Sequence, residues 1–122
     1  METAQLEAEV YAALVGDETL MGFLPDGGKS IFHLQAPAGE YPRLPILVYT
    51  PISDVPVLHG DNRENLHRVT IRLHIIAEDY TEIYAAVKRI MAALGFTREQ
   101  SRPLFDRGKR MLVTDFKIVI GG

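Results

Sequence analysis

The segment Gly27-Gly28-Lys29-Ser30 is a candidate for phosphate chemistry, because a Gly-Lys-Ser ending is typical of a phosphate-binding loop. That loop has four residues between its first glycine and the Gly-Lys-Ser, whereas five residues separate Gly22 from Gly28. Pro25 interrupts the segment, and residues 31–34 have the apolar pattern of a strand instead of the helix start that binds phosphate. We therefore expect an ordinary turn here.

Histidine could supply metal ligands, and the chain has four of them: His33, His59, His67 and His74. None forms a His-x-His or His-Glu-x-x-His pattern. His67 and His74 are seven residues apart on one predicted strand, so they should lie on opposite faces. One loop does gather candidate ligands, and a metal-dependent hydrolase remains one hypothesis, with the site formed by His59, Asp61, Glu64 and His67.

Paired carboxylates could perform acid–base catalysis, and the candidates are Asp61, Glu64, Glu78, Asp79 and Glu82. Asp79 and Glu82 have a structural role at a predicted helix start, and no serine lies in a Gly-x-Ser-x-Gly elbow. Cysteine is absent, which excludes a thiolate zinc site, an iron–sulfur cluster and a cysteine nucleophile. The sequence argues against an enzyme, and we expect no catalytic, cofactor-binding or metal-binding residue.

The sequence pattern of the first half of the chain predicts a helix and a short strand, which would position the candidate residues named above. Leu6, Val10 and Leu14 recur at helical spacing within residues 4–15, and Gly16 ends the helix. Asp17 is suited to cap a short turn of helix over residues 18–24. A short strand over residues 31–34 and an irregular, proline-rich connection over residues 35–45 follow.

The second half predicts strands around one well-marked helix. Residues 46–50 read as a strand, and residues 52–58 as at best an edge strand, because Pro51 and Pro56 cannot donate to a ladder. Residues 67–76 alternate between apolar and polar side chains, which favours an antiparallel sheet with one buried face and one polar face.

That helix should begin at a capping-box-like pair, Asp79 and Glu82, and end at a left-handed Gly95. Residues 97–110 read as a charged loop, and residues 111–120 as a final strand with Asp115 and Lys117 on its polar side. We therefore predict a single α+β domain over residues 1–122. Two helices should pack on one face of a mostly antiparallel sheet of about four strands.

Composition places the chain among soluble globular domains. It has 122 residues, of which 47% are hydrophobic and 24% charged, and a net charge of −3. The acidic N-terminus lacks the basic region of a signal peptide, and no apolar run approaches the ~20 residues that span a bilayer. A mildly acidic chain has no overall basic field, so we expect neither binding to a membrane nor specific recognition of nucleic acid.

Charge is distributed unevenly along the chain. Residues 1–40 carry seven acids and one base, whereas residues 41–122 carry twelve bases and nine acids. An acidic patch on one subunit could meet a basic loop on the next, and such head-to-tail contacts close into rings. Two polar loops, 59–65 and 97–110, supply the candidate interaction residues: Asp61, Arg63, Glu64, Arg98, Arg102, Arg107, Lys109 and Arg110.

A series of segments runs over most of the chain: the N-terminal helix ending near Leu20 to Leu24, Ile31 to Leu34, Leu44 to Asp54, Arg68 to Ile75, the helix that follows Asp79, and a final strand. This order of elements resembles that of the tail-completion proteins of long-tailed bacteriophages, which include tail terminators and head-to-tail joining proteins. Terminators and joining proteins have neighbouring roles, and these segments do not separate them.

The resemblance implies an α+β fold and a homo-oligomeric ring, commonly of six subunits, stacked on the tail tube. It implies contacts with the tail tube protein and with head–tail connector proteins, no cofactor and no enzymatic activity. The chain would be made in the host cytoplasm and end in the virion tail. The alternative is a small α+β ligand-binding or regulatory domain, with a pocket between the helix 79–94 and the sheet.

Overall fold

The computed structural model describes residues 2–39, 41–57 and 66–121. These ranges contain three α-helices, a short 3-10 helix over Gly27–Ser30 and five strands. The strands form one sheet, and the helices form a layer on one side of it. Their bounds are α1 Thr3–Val15, α2 Glu18–Met21, β1 Ile31–His33, β2 Ile46–Pro56, β3 Leu66–Ile76, α3 Thr81–Ala93, β4 Thr97–Asp106 and β5 Lys109–Gly121. None of the helices in these ranges is long and apolar enough to cross a membrane.

The sheet has the strand order β1-β2-β3-β5-β4. Only β1 runs parallel to its neighbour, and the pairs β2–β3, β3–β5 and β4–β5 are antiparallel. This confirms the predicted α+β class and mostly antiparallel sheet, with five strands where about four were expected. The added strand is β4, which lies at an edge of the sheet.

The prediction of a charged loop over residues 97–110 is therefore wrong. These residues form β4, a two-residue turn and the start of β5. Nine of the ten β4 residues are exposed, so the strand has no apolar alternation to reveal it. Arg107 and Gly108 both have positive φ, 52° and 75°, as the commonest two-residue hairpin turn requires.

Alternate residues of the sheet face the helices, and this helix-covered face holds the main core. On β3 the predicted apolar positions Val69, Ile71, Leu73 and Ile75 are all fully buried. They pack with Phe116 of β5 and with the inward sides of α1 and α3. The alternation predicted for β3 is thus confirmed, because helices cover one face of the antiparallel sheet.

The opposite face, which we call the outer face, is only partly polar. Ile46, Ile76, Met111 and Val113 form a second buried cluster there. The proline-rich connection covers it, with the side chains Ala36, Tyr41 and Leu44 packed against the cluster together with Phe32. Asp115 was expected on an exposed polar side, yet only 1% of it is accessible. The predicted contrast between a buried face and a polar face is therefore too simple.

β2 runs as one strand through its prolines. It bulges between Pro51 and Ser53, and β1 pairs only with residues Leu47 to Tyr49. Beyond Thr50, β2 is paired on one side only within the described residues, which is where a strand accommodates prolines, because they donate no ladder hydrogen bond. The predicted edge strand is thus confirmed as the second half of β2, except at residue 58, which lies outside the described residues.

The predicted helix ends are confirmed at one terminus of α3 and wrong at the other. Gly95 has φ 95°, and the N–H groups of Gly95 and Phe96 reach back to the carbonyls of Ala92 and Met91, each at 3.0 Å. The helix begins at Thr81, and Asp79 Oδ1 accepts the Thr81 N–H at 3.0 Å. Asp79 therefore lies one residue before the N-cap position, Tyr80, and bonds the N–H two residues on, whereas a capping box bonds the N–H three residues on.

Candidate interaction surface

The hairpin formed by β4 and β5 places the basic residues predicted in the 97–110 segment on several different surfaces. Arg98 lies opposite Phe116 on the helix-covered side and donates a hydrogen bond of 2.8 Å to the Tyr84 hydroxyl. Arg102 lies opposite Val113, so it belongs to the outer face, where it is exposed. Arg107 occupies the turn, with Lys109 and Arg110 after it. The five cations predicted as one basic loop therefore do not form one patch.

Arg107 holds the proline-rich connection to the hairpin tip. Its guanidinium donates to the carbonyl oxygens of Pro37 at 3.0 Å and Gly39 at 2.9 Å, and it lies 4.4 Å from the centre of the Tyr41 ring. The Tyr41 hydroxyl donates to the Asp106 carboxylate, and burial together with this bond raises the pKa of Tyr41 to about 12. These contacts are internal to the chain and attach the connection to the hairpin tip.

Lys109 lines an open cleft of about 770 Å³ between the connection and the start of α3. Glu78, Asp79 and Arg107 also line it. Its described lining has neither histidine nor serine, and Asp79 is engaged with the helix N-terminus. The cleft therefore has a lining of mixed charge.

The outer face contains an ion pair that sequence reasoning missed. Arg72 donates to both carboxylate oxygens of Asp115, at 2.8 and 3.0 Å, and Gln100 donates to the same carboxylate at 2.9 Å. Burial alone would raise the pKa of Asp115, but the bonds from Arg72 and Gln100 outweigh it and hold that pKa below its ordinary value. One indication of this pair was present in the sequence: Arg72 and Asp115 each alternate with the apolar residues of their own strand, which places both on the side away from the core.

Several acids of the N-terminal region have partners within the same molecule. Asp17 caps α2 at the Leu20 N–H and binds Arg89 of α3 at 2.8 and 3.1 Å. Glu7 lies 2.5 Å from His33, and Asp26 lies 3.4 Å from Arg43. The predicted acidic patch is therefore smaller than the sequence count. Among the described residues, the exposed acids on α1, on α2 and just before α1 are Glu2, Glu9 and Glu18.

The remaining predicted positions lie outside the described residues. Asp61, Arg63 and Glu64 are among them, as is His59 of the hydrolase hypothesis. His67 is described, and its Nδ1 lies 2.6 Å from an oxygen of Asp54. Within residues 2–39, 41–57 and 66–121, no three histidine, aspartate or glutamate side chains are placed to hold a metal ion.

The helix–sheet interface of the ligand-binding alternative is packed in the described structure. The inward side chains of α3 are buried against the sheet, namely Ile83, Ala86, Val87, Ile90 and Met91. Open clefts instead lie near the hairpin tip and the start of α3. The expected pocket between helix and sheet does not form among these residues.

Comparison with known proteins gives a family and a fold relative. Residues 8–110 match the sequence model of the family described as "Tail completion protein gp17". No curated protein sequence matches the chain. Its fold is similar to a chain in the solved structure titled "Virion of native gene transfer agent (GTA) particle", with 17% sequence identity and a TM-score of 0.57. The alignment covers 96% of this chain and 95% of that one.

The family match runs from within α1 to the start of β5, so it covers most of the fold and does not rest on a local motif. The similarity to the virion chain extends over nearly the full length of both chains, at an identity that speaks for the fold alone. The chain belongs to the family of tail completion proteins described as gp17.

Proposed function

We propose that this protein is a structural subunit that assembles into a ring, with six copies, at the head-proximal end of a phage or prophage tail. The observation that carries the proposal is the family match over residues 8–110. The ring would rest on the tail tube protein and receive the head–tail connector. The chain would act in the virion tail after synthesis in the host cytoplasm.

Two features of the described residues are consistent with a binding role. The outer face has cations at its surface, and the helical layer has exposed acids, so one copy offers complementary charges to another. The net charge of −3 also suits a ring through which DNA passes, because each phosphate contact by a lysine or arginine adds affinity.

The proposal is tested by mixing the purified protein with tail particles or with its tail tube protein, followed by electron microscopy and native mass spectrometry. We expect an extra ring at one end of the tail and a mass that corresponds to six copies. A chain that never associates with tail components contradicts the proposal.

The two neighbouring roles are separated in particles that lack the chain. A terminator stops tube growth, so its loss should give tails of irregular length. A joining protein connects finished parts, so its loss should give tails of normal length without heads. Normal infectious particles would contradict both roles.

A further inference from the structure

The outer face is basic where the proline-rich connection does not cover it. We use the term basic sheet face for Arg68, Arg72, Arg102 and Lys117. Its two carboxylates are engaged within the face, Asp115 with Arg72 and Glu99 with Lys117 at 3.7 Å. Arg68 and Arg102 are exposed and have no hydrogen bond or ion pair within residues 2–39, 41–57 and 66–121. The face therefore offers positive charge that the part of the chain described by the structure does not neutralise.

The N-terminal part of the helical layer, formed by α1 and α2, is acidic on its outward side. The first 28 residues contain no lysine or arginine. We use the term acidic helix face for Glu2, Glu9 and Glu18, which are exposed along α1 and α2. Ala4, Ala8 and Ala12 are also exposed on α1, and their small side chains let another surface approach the helix closely.

The two faces match in length and point in opposite directions. α1 has 13 residues, or ~20 Å of helix. On the sheet, Arg102 pairs with Val113, and Val113 pairs with His74 of β3, which is six positions along the strand from Arg68. Six positions of strand also span ~20 Å. Because α1 packs on the other side of the sheet, a contact between the two faces joins different surfaces of two copies. Such a heterologous contact repeats from copy to copy and closes into a ring when the rotation allows.

We propose that the basic sheet face of one copy docks on the acidic helix face of a second copy. This inference rests on the ring proposed above and identifies the surfaces that build it, which are a sheet face and a helix face rather than the hairpin tip. Exposed apolar side chains accompany the cations, since Val55 and Val119 are 37% and 51% accessible in the same row of the sheet as Arg68. Apolar area beside charge suits a protein partner better than a phosphate backbone.

Charge reversal tests the contact. The variants Arg68→Glu with Arg102→Glu, and Glu9→Lys with Glu18→Lys, each place like charges across the proposed interface. Because like-charge juxtaposition costs several kcal/mol, we expect each double variant to weaken self-association by about tenfold or more. Sedimentation velocity at low salt measures it, and the unfolding midpoint shows that both variants fold. The matched control is Lys109→Glu with Arg110→Glu at the hairpin tip, which should self-associate like the wild type.

Mixing the two double variants gives the sharper test. The reversed sheet face of one then meets the reversed helix face of the other, and the unchanged faces also match, so the mixture should recover the assembly that neither variant forms alone. Lack of recovery overturns the inference. So does a wild-type chain that stays monomeric, or a pair of variants that assemble normally.

Two further outcomes also overturn the inference. Loss of assembly in the hairpin-tip control would place the contact at the tip. Loss of duplex DNA binding in the Arg68 and Arg102 variant, with self-association unchanged, would make the basic sheet face a nucleic-acid surface. The proposed function is judged separately, because its test uses tail particles and remains informative whichever face joins the copies.

Discussion

The two faces of the sheet are built from different interactions. The helix-covered face is a continuous apolar core in which Phe116 and Leu73 are almost inaccessible. The outer face has a small apolar cluster at one end and a bidentate Arg72–Asp115 pair near its middle. Around that pair the strands present exposed cations, including Arg68.

This difference separates stability from recognition. Apolar area removed from water stabilises the fold by about 25 cal/mol per Å², so the helix-covered face supplies the largest share. Exposed ion pairs contribute about 0–1 kcal/mol each, so the outer face can bear charges for a partner at small cost to the monomer. Substitutions on the two faces should therefore differ in size and in what they affect.

The largest effect is expected from Phe116→Ala. Removing a ring that is 2% accessible leaves a cavity under the helices, and we expect a loss of about 3–5 kcal/mol in unfolding free energy. Urea denaturation measures it. Val119→Ala, in the same strand on the outer face, is the matched control and should change stability by less than about 0.5 kcal/mol. Equal losses at both positions would remove the distinction between the faces.

A smaller loss is expected from Asp115→Asn. The carboxylate is 1% accessible but its partner Arg72 is 27% accessible, so we expect about 1–3 kcal/mol. The folded pKa of Asp115 lies below its unfolded value. Its stabilising effect is therefore present above the unfolded pKa of about 3.9 and is lost as pH falls through the folded pKa.

The pH dependence of the unfolding free energy tests the Arg72–Asp115 pair in a second way. Denaturant unfolding between neutral and acidic pH should show that the difference between wild type and Asp115→Asn shrinks as Asp115 becomes protonated. A difference that stays constant down to acidic pH would show that the charge of Asp115 does not contribute.

A loss of about 1 kcal/mol is expected from Arg107→Ala, because its hydrogen bonds to the connection are made by a side chain that is 39% accessible. Hydrogen exchange should rise over residues 34–39 and stay unchanged in α3. Lys109→Ala, two residues away, should leave both readouts unchanged. Unaltered exchange in the Arg107 variant would show that the connection is held by packing alone.

The smallest effect on the monomer is expected from Arg68→Ala. An exposed side chain without a partner among the described residues should change unfolding free energy by less than about 0.5 kcal/mol. Self-association should nevertheless weaken, as sedimentation measures. A large loss of stability without a change in association would assign Arg68 to the fold.

Local sequence patterns predicted the helices and strands that have one side in the core and the other in solvent. The alternation of β3, the spacing of Leu6, Val10 and Leu14 in α1, and the left-handed Gly95 were all readable because burial and backbone geometry act within a few residues. β4 was missed because an exposed edge strand needs no apolar alternation. The acidic positions 61 and 64, with Arg63, stay predictions because they lie outside the described residues.

Local composition and periodicity predict the α+β class, the buried side of the long strands and the excess of acids in the first 40 residues, because each depends on residues that are near one another in the chain. Which charges have partners within the chain depends on the tertiary structure. Arg107 lies 70 residues from Pro37, and Arg72 lies 43 from Asp115, and each pair meets only once the sheet forms. Pairing across such distances is set by strand order and register, which no local pattern encodes.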